Sequence, residues 1–197
     1  MTKQTILWDM DGCLARFTKA VTDHLNIQFI DLRWTEDDIK TWNFWEKVPD
    51  KHVAAQAFAF FNSPGFFRNL EAYEESVNAF LEMFSLGHDV KICSSPLRTD
   101  FERIRQEKYD WLVEHLGAEH ADRAIFVGDK SEVPADVIID DHPRLTVRKK
   151  DYLFKNWLIV GHAYNEVLSD ELTMLPVGRI KNDWSNWREE FSKLDLI

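Results

Sequence analysis

Ile6-Leu7-Trp8-Asp9-Met10-Asp11-Gly12-Cys13-Leu14 decides the reading of this chain. An apolar run ends abruptly in two carboxylates and a glycine. Runs such as Thr5–Trp8 read as buried strands of a parallel sheet, and in open α/β sheets ligands sit beyond the carboxyl ends of the strands, at the switch point. Asp9 and Asp11 occupy that end. Residues i and i+2 of an extended chain share a face, so the two carboxyl groups converge. Gly12 lets the backbone turn sharply or approach a ligand closely. Two acids held together repel unless a positive charge sits between them, and a divalent hard cation with oxygen ligands supplies it.

Outward from this stretch, Leu14–Leu25 has helical spacing, with Leu14, Phe17, Val21 and Leu25 on one stripe. The region 26–72 then breaks the strand–helix rhythm. Thr35-Glu36-Asp37-Asp38 resembles a helix start, Pro49 opens a helical run over Asp50–Phe61, and Asn62-Ser63-Pro64-Gly65 is a turn cluster. Aromatics crowd this region, Trp34, Trp42, Phe44, Trp45, Phe66 and Phe67 among them. It reads as a small helical cap (26–72) inserted into a core formed by 1–25 and 73–197. Alternation resumes with a helix over Tyr73–Leu86 closed by Gly87, a strand over Val90–Cys93 and a helix over Asp100–Leu116 ended by Gly117. Strands follow at Ala124–Val127, Val137–Ile139 and Trp157–Val160, then a final helix over Asp183–Leu194. The fold class is α/β: a Rossmann-like, doubly wound parallel sheet with an inserted helical cap.

Composition narrows the function. The 197 residues are 45% hydrophobic and 29% charged, enough for a sizeable core. A formal net charge of −10 argues against a nucleic-acid polymer as partner, since backbone binding wants a basic surface, yet permits a single phosphate. Cys13 and Cys93 read as buried free thiols rather than a disulfide. No signal peptide precedes the first strand and no apolar run is long enough to span a bilayer, so the expectation is a cytoplasmic protein without membrane contact. Neither G-x-x-x-x-G-K nor G-x-G-x-x-G is present, which leaves ATP- or NAD-dependent chemistry without support. The histidines, His162 included, show no metal-ligand spacing, and Arg148-Lys149-Lys150 reads as a solvated loop.

Each strand end offers a functional group: Asp9 and Asp11 after the first, Ser94 after the second, Lys130 after the third, Asp140 and Asp141 after the fourth. Parallel strands bring all of them to one edge. Carboxylates suit a cation, and a hydroxyl with an ammonium suits phosphate oxygens, so a metal-plus-phosphate site emerges in outline.

Asp9-Met10-Asp11-Gly12, Ile92-Cys93-Ser94-Ser95-Pro96, Asp129-Lys130 and Ile139-Asp140-Asp141 together resemble the four motifs of the haloacid dehalogenase superfamily. The likeness tightens to its 5′(3′)-deoxyribonucleotidases through Glu107-Lys108-Tyr109-Asp110-Trp111, the pairs Phe44-Trp45 and Phe66-Phe67, and Asn182-Asp183-Trp184-Ser185-Asn186-Trp187, which is similar to their closing helix. The resemblance implies a Mg²⁺-dependent phosphomonoesterase acting on deoxyribonucleoside monophosphates, with a homodimer left open. It implies Asp9 as nucleophile, forming an aspartyl phosphate, and Asp11 as the acid and base that serves the leaving sugar oxygen and the water. That role requires Asp11 to be protonated when substrate binds. Metal ligands would be Asp9, the main-chain carbonyl of Asp11, and Asp141 with Asp140 in support. Ser94 and Lys130 would hold the phosphate, and Ser95, Arg98 and Lys108 would bind it or orient the loops. Phe17, Phe44, Trp45, Phe67 and Leu97 match positions around the base. Gly128 and His142 depart from the pattern, standing where relatives often carry Arg. Two other readings stay open: a related phosphatase for another small phosphorylated metabolite, and a slow-turnover phosphoacceptor.

Overall fold

Six strands form one parallel sheet in the computed structural model, which describes residues 2–44, 48, 50–146 and 152–197. They are β1 (Thr5–Trp8), β2 (Asp89–Ser94), β3 (Ile125–Phe126), β4 (Ala135–Asp140), β5 (Phe154–Gly161) and β6 (Gly178–Lys181), in the spatial order β3-β2-β1-β4-β5-β6. Trp45, Pro49 and Arg148-Lys149-Lys150 lie outside the described residues.

The order explains why β1 and β4 are apolar at nearly every position. Both sit in the middle of the sheet, covered on each face, and Ile6, Leu7, Trp8, Val137, Ile138 and Ile139 have no exposed surface. Side chains alternate: Ile6 and Trp8 join one core cluster and Leu7 the other. The chain winds outward from β1 to β3, returns to β4 beside β1, and winds the other way to β6. The seam between β1 and β4 is therefore the switch point, closed by the Asp9 amide donating to the Ile139 carbonyl at 2.9 Å. Five strands were predicted from sequence. The sixth is an edge strand in which only Ile180 is buried, so it carries no apolar run to read.

Six helices accompany the sheet among the described residues: α1 (Phe17–Gln28), α2 (Lys51–Phe61), α3 (Glu74–Ser85), α4 (Phe101–Leu116), α5 (Ala118–Ala121) and α6 (Trp187–Ser192). The predicted helix at Leu14 begins three residues later. The Met10 carbonyl accepts from the amides of Leu14 and Ala15 at 2.8 Å each, and the Gly12 amide donates to the Ala15 carbonyl at 2.8 Å, so 10–15 form a closed turn. Thr35 starts a single 3-10 turn, Glu36–Asp38, rather than a helix. The final helix was predicted from Asp183, but Trp184 has φ +62°, which a right-handed helix cannot contain, and α6 starts at Trp187. Trp184 turns inward there to stack on Trp8, ring centroids 5.3 Å apart.

Between β1 and α3 the chain carries α1, α2 and the turns Glu36–Asp38 and Phe67–Asn69. Its return leg is fastened to α4. Glu107 accepts from the Gly65 amide at 2.8 Å and the Phe67 amide at 3.2 Å, while Arg103 donates to the Asn62 carbonyl at 2.9 Å and Trp111 to the Leu70 carbonyl at 2.7 Å. Cys13 and Cys93 are free and buried. Among the described residues no helix is long and apolar enough to cross a membrane.

Candidate active site

The carboxyl edge of the sheet gathers the charged strand ends. Lys130 is set by the turn Lys130–Glu132, which Asp129 caps by accepting from the Ser131 amide at 3.0 Å. Its ammonium lies 2.7 Å from both Asp9 Oδ1 and Asp140 Oδ2. Asp140 Oδ1 accepts from the His142 amide at 2.8 Å, so both Asp140 oxygens are engaged. Asp141, one residue on, points elsewhere: its Oδ2 accepts from the Tyr164 hydroxyl and its buried Oδ1 has no hydrogen-bond partner among the described residues. Oxygens of Asp9 and Asp141 and the Cys13 sulfur lie within 4.8 Å of one another.

Asp11 and Ser94 meet through Lys108. This lysine is fully buried on α4, and its ammonium donates to Asp11 Oδ2 and, at 2.8 Å, to Ser94 Oγ. The Phe67 ring covers it at 4.9 Å. Asp11 Oδ1 is the second orphaned carboxylate oxygen of the site. Gly12 is required by the crowding: φ is +73°, and a Cβ there would stand 2.0 Å from Asp141 Oδ2.

A cleft of about 1300 Å³ opens over these groups. Its floor holds Asp9, Asp11, Lys130, Asp140 and Asp141, and Phe17, Trp42, Phe44, Phe67, Ser95 and Leu97 stand in its walls. Gly128 and His142, the two departures noted in the sequence, line it as well. Phe67 is 1% exposed and packs on Phe66, so it belongs to the wall's interior rather than offering a free face. Trp45 lies outside the described residues; Arg98 opens the turn Arg98–Asp100, and its side chain is likewise not described.

Burial dominates the electrostatics. It raises the Asp9 carboxyl above its ordinary range despite the opposing Lys130 charge, with Asp140 adding to the rise. Burial also raises Asp11, over the counter-pull of Lys108 and with help from Asp9. Asp141 is pushed well up by burial, then by Asp9 and Asp140. Burial works against the Lys130 ammonium, but Asp140 and Asp9 overcome it and hold its pKa well above that of an ordinary lysine. Burial also drives the Cys13 thiol well up, so it stays protonated and is no ligand for a hard cation.

Sequence reasoning missed Tyr164, Asn165 and His162 at this edge. Asn165 donates to the Asp141 carbonyl at 2.7 Å, and the His162 ring nitrogen Nε2 meets the Gly12 carbonyl at 2.7 Å. A signal existed: they follow β5, as Asp141 follows β4, and the same strand-end rule points to both.

Comparison with known proteins places the chain in a family. A family described as "5' nucleotidase, deoxy (Pyrimidine), cytosolic type C protein" matches residues 3–174. The chain is 36% identical over 191 residues to a Bordetella bronchiseptica protein named "Putative 5'(3')-deoxyribonucleotidase", covering 93% of this chain and 92% of that one. It is 31% identical over 193 residues to the human cytosolic-type 5'(3')-deoxyribonucleotidase, covering 93% and 91%. Among solved structures, a HAD-family hydrolase from Deinococcus radiodurans with bound phosphate and sodium superimposes with a TM-score of 0.61 at 12% identity, covering 99% of this chain and 97% of that one, a likeness of fold.

Proposed function

The chain belongs to the 5′(3′)-deoxyribonucleotidase family of HAD-like phosphatases, and from that premise we propose that it hydrolyses deoxyribonucleoside monophosphates, with Mg²⁺ as cofactor and through a phosphorylated Asp9. The observation that carries the reading is the pairing at the switch point: Lys130 bridges Asp9 and Asp140 at 2.7 Å each, while the neighbouring Asp141 keeps a buried oxygen unpaired. A buried carboxylate oxygen without a donor is costly. Hard cations take such oxygens, so the donor set fits Mg²⁺ held by Asp9, Asp141 and the Asp11 main-chain carbonyl. When bound, the ion neutralises the charge of carboxylate and phosphate at the reacting centre.

The chain's own residues account for the remaining steps. An Asp9 carboxylate oxygen attacks phosphorus, the bond from phosphorus to the sugar oxygen breaks, and the Asp11 proton passes to that oxygen. Burial keeps Asp11 protonated further up the pH scale than an ordinary carboxyl, as an acid must be. Asp11, now ionised, takes a proton from water as its oxygen attacks the phosphorus, and the acyl phosphate gives back Asp9 and inorganic phosphate. Lys130 and Ser94 hold phosphate oxygens. Lys108 keeps Asp11 and Ser94 in register.

The wall aromatics favour a flat base over a bare sugar, whereas Gly128 and His142 favour the second reading, a phosphatase for another small metabolite. Phosphate release with Mg²⁺ from a panel of deoxynucleotides, ribonucleotides and sugar phosphates separates the two. Deoxynucleotides are expected to give the highest kcat/KM. Equal values for sugar phosphates sink the substrate assignment and leave the phosphatase.

A further inference from the structure

One short turn after β5 holds both halves of the acidic centre. His162 and Asn165 are 7% and 0% exposed. Asn165 Nδ2 donates to the carbonyls of Asp141 and Val160 at 2.7 and 2.8 Å, and its Oδ1 accepts from the His162 amide and from Arg179, each at 2.9 Å. Every polar atom of the Asn165 side chain is thereby used, which fixes the turn. The His162 ring, meeting the Gly12 carbonyl through Nε2, stacks on the Tyr164 ring at 4.9 Å with planes 10° apart. That stacking and the bond of its hydroxyl to Asp141 Oδ2 hold Tyr164 from two sides. With Oδ2 held, turning the carboxylate would break that bond, which favours one direction for the unpaired Oδ1.

Tyr164 also has a neighbour from the segment between β1 and β2. The Trp42 ring meets it edge to face at 5.4 Å and lies 4.5 Å from the His142 ring. Trp42 keeps 37% of its surface exposed in the mouth of the cleft.

We infer that Tyr164 is a positioning residue for the cation: its hydroxyl aims Asp141, and Trp42 braces its ring, so that the seating of the inserted segment sets the affinity of the metal site. The inference rests on Asp141 being a metal ligand, as proposed above. A phenylalanine would fill the same space, so the hydroxyl accounts for the aiming alone. Partners that orient metal ligands are worth about 10–100-fold in metal affinity.

The test is calorimetric titration of Mg²⁺ into the full chain without nucleotide, alongside kinetics. Tyr164→Phe should weaken Mg²⁺ binding by about tenfold or more, with kcat at saturating Mg²⁺ and the nucleotide KM little changed. Trp42→Ala should weaken Mg²⁺ binding by a smaller factor, and the double variant should lose less than the product of the two, because the ring acts through the hydroxyl. Mg²⁺ binding in Tyr164→Phe as tight as in the native chain overturns the proposal, as does strict additivity. Asp141→Asn separates the layers. If it binds Mg²⁺ like the native chain, the ligand assignment beneath the proposal fails; if it loses Mg²⁺ while Tyr164→Phe keeps it, the tyrosine proposal alone fails. Should Tyr164→Phe not fold, Trp42→Ala, at a partly exposed ring, decides in the same titration: unchanged affinity overturns the proposal.

Discussion

In the acid and base role proposed for it, Asp11 needs a proton at one moment and must be free of it at the next, and its neighbours set the balance. Lys108 favours the charged form, while burial and the Asp9 charge favour the neutral one and prevail. A carboxyl held in this way suits a leaving group that cannot depart without a proton. Asp11→Asn should therefore cut turnover of nucleotides by about 10²–10⁴-fold and that of an aryl phosphate, whose phenolate leaves unaided, far less. Equal losses on the two substrates would remove Asp11 from the acid's role. At this scale the sequence was informative wherever a residue type is rare at a strand end: two acids before a glycine, or a lysine after Gly128-Asp129. It was silent about Tyr164, because a tyrosine near a strand end is ordinary until its hydroxyl is seen on Asp141.

Among the elements, α4 serves two masters. Lys108 faces the chemistry and Glu107, beside it, holds the return leg of the inserted segment through two backbone amides. Glu107→Ala would leave those amides without their acceptor and Arg103 without one of its partners. A loss of about 1–3 kcal/mol in urea unfolding is expected, with KM for nucleotide rising more than kcat falls, since the wall carrying Phe67 loosens while Asp9 and Lys130 do not. An unchanged unfolding midpoint would show that the amides find another partner. The central strands and the long amphipathic helices were legible from sequence because burial on both faces, or on one stripe, leaves a pattern. β6 and the late start of α6 were not: an edge strand hides little, and the left-handed backbone of Trp184 is paid for by its stacking on Trp8, a contact between residues 8 and 184 that no local window contains.

For the whole molecule, the acidic cluster makes stability depend on pH in an unusual direction. Asp9, Asp11 and Asp141 all have folded-state pKa values raised from the ordinary 3.8. Such groups favour the fold when protonated, so their contribution is complete below that value and is lost as pH rises through the raised ones. Lowered carboxyls at Asp38, Asp89, Asp136 and Asp183 pull the other way, so the expected reading is a difference: the Tm of the metal-free protein relative to its Asp141→Asn variant should fall between acid and neutral pH, and added Mg²⁺ should raise the native Tm most at the upper end, where the carboxylates are ionised. A Tm difference between the two chains that stays constant or grows over the same range would contradict this. The division into a core of 1–25 and 73–197 with a cap of 26–72 is a proposal of the same scale, and selective protection of 26–72 from proteolysis by bound nucleotide would support it.

The amide of Asp9 is hydrogen-bonded across the β1–β4 seam to Ile139, in the middle of a sheet with two further strands on either flank. An opening at the mouth of the cleft need not disturb this anchor, so displacing the proposed nucleophile requires parting the central strands of the sheet. Access and integrity are in this way governed by different parts of the chain, and substitutions around the entrance can retune what enters without loosening the atom that attacks.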